Sequence, residues 1–239
     1  MIDMATTWAE IYAAAMIPID DLRLQEQLAI SPALYYRRMS LYVTAAMPLL
    51  SRPPELLQYL INGMVAPEYS DFEWVSTEES ITEESTIVDT QMLGYDTCSC
   101  VINQVLDDGR VLQTPYAVDY DAVTGEVTFP KQDAAGIDYE LDFYTDGTFN
   151  DLSAAQIRLF GQAVSIVWDE RFVNGWLQRQ PKINDSSFTT VNEANWTEKT
   201  SQAHLRKVQE FNDELKHYEQ LCAYSTRVRT PLRGGVTLI

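Results

Sequence analysis

Three groups of residues have types and spacings that could support chemistry. Cys98 and Cys100 lie two apart in a stretch of strand character, so alternation turns both thiols to one face. Two thiolates on one face can begin a soft-metal site. Structural zinc takes four ligands, however, and no further Cys or His stands near in sequence, so the pair reads as core or surface thiols. His204 and His217 share one helical stretch, thirteen residues apart. That spacing is too wide for a shared site, and no H-E-x-x-H pattern is present, so both read as surface or interface histidines. Asp138, Glu140 and Asp142 form an alternate-residue carboxylate ladder that could gather Ca²⁺. The calcium-loop spacing with its glycine and terminal glutamate is absent, so the ladder reads as solvated carboxylates. Hydrolysis by paired carboxylates needs two acids at a set separation, and no pair is singled out among the many here. There is no G-x-S-x-G, no phosphate-binding G-x-x-x-x-G-K and no dinucleotide fingerprint. The expectation is a protein without catalytic residues, cofactor or metal.

A fourth group points to binding. From residue 226 on the chain carries Arg227, Arg229 and Arg233 and no acid, and it closes on Val236, Thr237, Leu238 and Ile239. Pro231 and the Gly234-Gly235 pair oppose a helix. The stretch reads as an extended arm over 226–239. Its arginines can pair with carboxylates, and Val236, Leu238 and Ile239 lie in a segment able to add to an exposed sheet edge.

Stretches of clear periodicity surround these groups. Ser153 with Gln156 three residues on forms a capping box, and apolar residues then recur at Ile157, Phe160, Val164, Trp168, Phe172 and Trp176. A second row, Leu159, Ala163, Ile166, Val173 and Leu177, makes this the inner helix of a bundle. A further helix is expected from Asn195, as cap, to about Tyr224, with a narrow seam of Leu205, Val208, Phe211, Leu215, Tyr218 and Cys222. The intervening 180–194 has loop chemistry. Residues 5–16 read as a short helix ended by Pro18. Ser31-Pro32 reads as cap and first residue of a helix over about 33–50, and Pro53-Pro54 opens another that Gly63 ends.

The middle of the chain changes period. Residues 68–90 are rich in Glu, Ser and Thr and read as a loop or a charge-protected edge strand. Asp107-Asp108-Gly109 marks one hairpin, between 98–106 and 110–114. Val123-Thr124-Gly125 marks a second, between 116–121 and 126–129. Residues 137–144 alternate, with Ile137, Tyr139, Leu141 and Phe143 on one face and the three carboxylates on the other. The expected fold class is α+β. Helices at 1–66 and a helical hairpin at 152–225 form a bundle, an antiparallel β insertion occupies 67–151, and the arm follows.

Charge follows the same divisions. Residues 1–66 hold six acids and four bases, 67–151 twenty acids and two bases, and 152–239 nine acids and eleven bases. The β segment therefore accounts for the whole net charge of −18. Such a surface keeps a protein in solution, repels nucleic acid and attracts cations or a basic partner. No basic patch outside the tail supports direct DNA binding. No run of 18 apolar residues suggests a membrane span. Acidic Asp3 and Glu10 do not resemble a signal peptide. Three cysteines give no disulfide framework.

The layout resembles tailed-bacteriophage virion structural proteins, specifically head–tail connectors of the neck or adaptor type. The likeness lies in the helical bundle interrupted by a β insertion, the A-V-D-Y-x-x-V-T-G-E-V-T-F hairpin ending at Phe129, the helix opening Leu152-Ser153-Ala154-Ala155-Gln156, and the extended arm. It implies a non-enzymatic homo-oligomeric ring, of about a dozen copies by analogy, between portal and tail. Genome DNA would pass through without specific binding, and the arm would dock on neighbouring subunits, the portal or a neck protein. It also implies assembly in the host cytoplasm and residence in the virion, with no membrane partner. A tail or baseplate role and a cation- or glycan-binding β module are the alternatives.

Overall fold

The structure is a computed structural model that describes residues 5–76, 86–105, 109, 111–130, 136–178 and 190–229, with side chains throughout except at 105, 172–178, 190–198 and 224–229. The fold is α+β. Helices α1 (Trp8–Ile19), α2 (Leu22–Ile30), α3 (Pro32–Ala46) and α4 (Pro54–Asn62) precede the strands, with a 3₁₀ turn at Met47–Leu50, and α5 (Ala154–Gln178) and α6 (Thr190–Arg229) follow them. The strands are β1 (Thr6–Thr7), β2 (Glu68–Val75), β3 (Thr86–Asp89), β4 (Thr97–Val105), β5 (Val111–Tyr116), β6 (Asp119–Asp121), β7 (Glu126–Phe129), β8 (Asp138–Thr145) and β9 (Thr148–Phe149).

α5 is the inner helix that two apolar rows require. Leu159, Phe160, Ala163, Val164, Ile166 and Trp168 are buried, and the helix packs against α1, α3 and α6. Its start is the expected capping box: the Gln156 amide donates to Ser153 Oγ and the Ser153 amide to Gln156 Oε1. At the crossing with α1, a Cβ on Gly161 would stand 2.7 Å from the carbonyl carbon of Ala14, so the approach of the two backbones depends on glycine.

Several helix boundaries differ from expectation. α1 does not end before Pro18 but runs through it to Ile19, closing on Asp20 in the left-handed region. Thr7 and Glu10 form a capping box at its start. α2 was not anticipated, because LRLQEQLAI buries only Leu24 and so carries a weak stripe. α6 extends beyond the expected span at both ends, so Asn195 lies inside the helix rather than at its cap. Its seam is confirmed at Phe211 and Leu215, with Val208 packed beside them, but Leu205 is 58% exposed and not part of it.

Apart from the two-residue β1-β9 pair, two antiparallel sheets form the β part, in the orders β2-β8-β4-β5 and β3-β7-β6. Both expected hairpins are present: Val105 pairs with Val111 in one and Asp121 with Glu126 in the other, where Gly125 takes φ +75°. The acidic 68–90 stretch supplies β2 and β3, the edge-strand alternative; 77–85 lie outside the described residues. The facing surfaces enclose Cys100, Val127, Phe129, Tyr139, Leu141 and Phe143, the core of a small sandwich. The larger core lies among α1, α3, α4, α5 and α6 and takes in Tyr144 and Phe149.

Candidate interaction surface

β8 joins the two cores. Tyr139, Leu141 and Phe143 face the sandwich interior, while Tyr144 at the strand's end enters the helical core. There the Tyr12 hydroxyl lies 3.1 Å from the Tyr144 hydroxyl, which donates to Asp146 Oδ1 at 2.9 Å, and Tyr36 stacks on Tyr144 with ring centres 4.9 Å apart. Burial raises the hydroxyl pKa of both Tyr12 and Tyr144, so both remain neutral donors. The Asp146 carboxylate also accepts from the Ala9 amide at the start of α1. β1 pairs with β9 beside this point, and Trp8 stacks on Phe149. The β domain is thus anchored to the bundle by aromatic packing and a hydrogen-bonded relay.

Alternation along β8 sorts the carboxylates as expected, but the face they occupy is not uniformly solvated. Asp138 is exposed and Glu140 half-buried, whereas Asp142 is only 3% exposed. The cause is α3, whose N-terminus covers this end of the sheet. Ser31 does not cap its own helix: its hydroxyl donates to Asp142 Oδ2 at 3.4 Å. The free Ala33 amide is capped instead by Ser99 Oγ of β4 at 3.1 Å. Burial, then Glu140, pushes the Asp142 carboxyl up to about 6, with Asp71 adding to the rise and Ser31 and Arg37 opposing it.

β2 adds further acids. Asp71 sits opposite Asp142 and Glu73 opposite Glu140, two like-charged cross-strand pairs. Among the described residues, no ion pair is formed by Asp71, Glu73, Asp138 or Glu140. Glu140 accepts from Asn103 Nδ2 at 2.6 Å, and Asn103 Oδ1 in turn accepts from Gln113 Nε2. Arg37 approaches from α3 and lies over the Tyr69 ring, 4.8 Å from its centre. β2, β8 and β4 carry no lysine or arginine, so this face is a carboxylate sheet balanced from outside its own strands. The sequence placed Asp138, Glu140 and Asp142 together. It did not reveal Asp71, Glu73 and Tyr69, because strand pairing across some 70 residues decides that they join the same face.

The remaining candidates separate. Cys98 and Cys100 share a face, as expected, and that face points into the sandwich; burial raises both thiols to about 12. Among the described residues, no group of three or more His, Cys, Asp and Glu side chains is arranged to hold a metal. Tyr139 and Phe143, the aromatic half of the cation- or glycan-binding alternative, are buried and present no stacking surface to a sugar. His204 is half-buried on α6, and His217 is exposed beside a groove of about 320 Å³ lined by Arg158, Asp213 and Tyr218. Arg227 and Arg229, expected in the extended arm, are the last helical residues of α6, so 226–229 are helical rather than extended. Pro231, Arg233, Val236, Leu238 and Ile239 lie outside the described residues. No described helix is long and apolar enough to cross a membrane. Comparison with protein-family models, curated proteins and solved structures found no match.

Proposed function

We propose that this chain is a non-enzymatic connector of a tailed-phage neck, a ring-forming adaptor between portal and tail. The observation that carries the reading is the separation of charge by element. The β domain carries a carboxylate face whose own strands hold no lysine or arginine, while Arg227 and Arg229 end a 40-residue helix and Arg233 follows in sequence. A channel-lining protein gains from such a surface, since carboxylates repel passing phosphates whereas a cationic lining would hold them. A basic segment at the end of a long helix suits subunit-to-subunit or subunit-to-portal docking, where several weak contacts add through multivalency. In this reading the protein resides in the virion after assembly in the host cytoplasm.

The test is assembly. Full-length chain and a chain ending at Arg229 are purified and mixed with the portal protein encoded in the same genome. The expected result is a ring from the full chain and weakened assembly from the truncated one. Equal assembly of both removes residues 230–239 from the mechanism. A full chain that stays monomeric with portal present refutes the connector reading.

A further inference from the structure

The outer edge of β2 is unpaired among the described residues. β2 hydrogen-bonds to β8 on one side and to no other described strand on the other, over eight residues. An edge of that length invites another chain, and proteins commonly guard such edges with charged side chains, proline or a covering element; a guard made only of acids repels another acidic strand and admits a basic one. β2 has neither lysine nor proline; it carries Glu68, Asp71 and Glu73, and exposes Tyr69 and Val75. The other edges differ. β5 bears no acid and is interrupted by Pro115, and β6 is three residues long.

We propose that the β2 edge is the acceptor for the basic tail of a neighbouring copy, with Val236–Ile239 adding as a fifth strand and Arg227, Arg229 and Arg233 meeting the carboxylates of β2 and β8. The assignment deepens the arm-docking part of the proposed function and rests on it. Charge complementarity selects the occupant: from residue 226 the chain has three arginines and no acid, and the acceptor face has acids and no strand-borne base. Strand addition supplies backbone hydrogen bonds, while the arginines give the exposed Asp71 and Glu73, each opposite a like charge, an attractive partner. The choice of a neighbour follows from the ring reading, and complementation separates it from the chain's own tail. Arg158 near the start of α5 pairs with Glu214 at 2.9 Å, and Gln156 hydrogen-bonds Tyr218. In that antiparallel register α6 passes the first residue of α5 between Tyr218 and Gln220 and continues to Arg229, about three further turns or ~15 Å.

Complementation in solution tests this. One chain carries Asp71→Lys and Glu73→Lys with its tail intact; the other has an intact edge and ends at Arg229. Both substituted residues are exposed, so the fold is retained and thermal melting checks it. Sedimentation velocity is expected to show self-association of the full chain, about tenfold weaker in the doubly substituted chain and lost in the truncated one. A mixture of the two defective chains is expected to form heterodimers, with amides of 68–75 in the truncated partner protected from exchange. The association should weaken with added salt. Protection of 68–75 in a full chain that is still monomeric would overturn the proposal in favour of the chain's own tail. Self-association unchanged by both defects would overturn it while leaving the connector reading intact. No association of the full chain with itself or with portal would take both down.

Discussion

Asp142 sits under conflicting demands. The N-terminus of α3 and the Ser31 hydroxyl favour a carboxylate there, whereas burial and the neighbouring Glu140 and Asp71 disfavour one. Burial dominates, raising the group from 3.8 to about 6. Because the folded value exceeds the unfolded one, the neutral form is the one the fold prefers. The ionisation penalty is absent below the unfolded value, grows between the two values and is complete above the folded one. Asp142→Asn is therefore expected to raise stability by about 2 kcal/mol at pH 8, with the advantage shrinking towards zero near pH 4. Urea unfolding of both proteins at the two pH values measures this. The cap supplied by Ser99 from a different element gives a companion expectation: Ser99→Ala costs about 1 kcal/mol, read as a lower urea midpoint with unchanged slope. The alternation of 137–144 was legible at this scale, since a period of two is a local property. The burial of Asp142 was not. It follows from α3 lying over the sheet, and the residues that touch, Ser31 and Asp142, are 111 apart in sequence.

The elements that sequence revealed best were those with a strong period. The two apolar rows of α5, its capping box and the seam of α6 at Val208, Phe211 and Leu215 all follow from local spacing and burial. The ends of helices were harder. Pro18 removes one backbone donor but does not stop α1, whose Ile11, Tyr12 and Ala15 are already held in the core. The Pro18 carbonyl is met by Lys207 of α6, which also pairs with Asp169 at 2.6 Å. The Asn195 cap signal was overridden because helix continuation through 190–195 is locally permitted and Asn is tolerated inside a helix. Gly161 is the clearest element-scale test. Alanine there would gain about 1 kcal/mol in helix propensity, yet its methyl would meet the α1 backbone, which cannot rotate away as a side chain can. Gly161→Ala is expected to lower stability by a net ~1–2 kcal/mol, measured by thermal or urea unfolding; a stabilised variant would show that the α1–α5 crossing yields easily.

At the scale of the whole molecule, charge segregation is the dominant physical fact. The carboxylate excess of 67–151 is a sequence property, but the meeting of Asp71 and Glu73 with Asp138, Glu140 and Asp142 on one sheet face depends on β2 pairing with β8, which no local pattern specified. The excess predicts that duplex DNA does not bind even at low salt, where counterion release would otherwise favour association; a gel-shift or anisotropy titration checks it, and tight low-salt binding would contradict a repelling channel. The arm was legible only as composition. Its first helical turn belongs to α6, because Arg227 and Arg229 are compatible with helix continuation and Pro231 does not act until two residues later. The connector proposal requires that the chain assemble into a ring. Its most direct measurement is the mass and symmetry of the full chain alone and with its portal protein, by native mass spectrometry and electron microscopy. The expected result is a closed ring of about a dozen copies seated on the portal; a monomer under every condition, portal included, would contradict it.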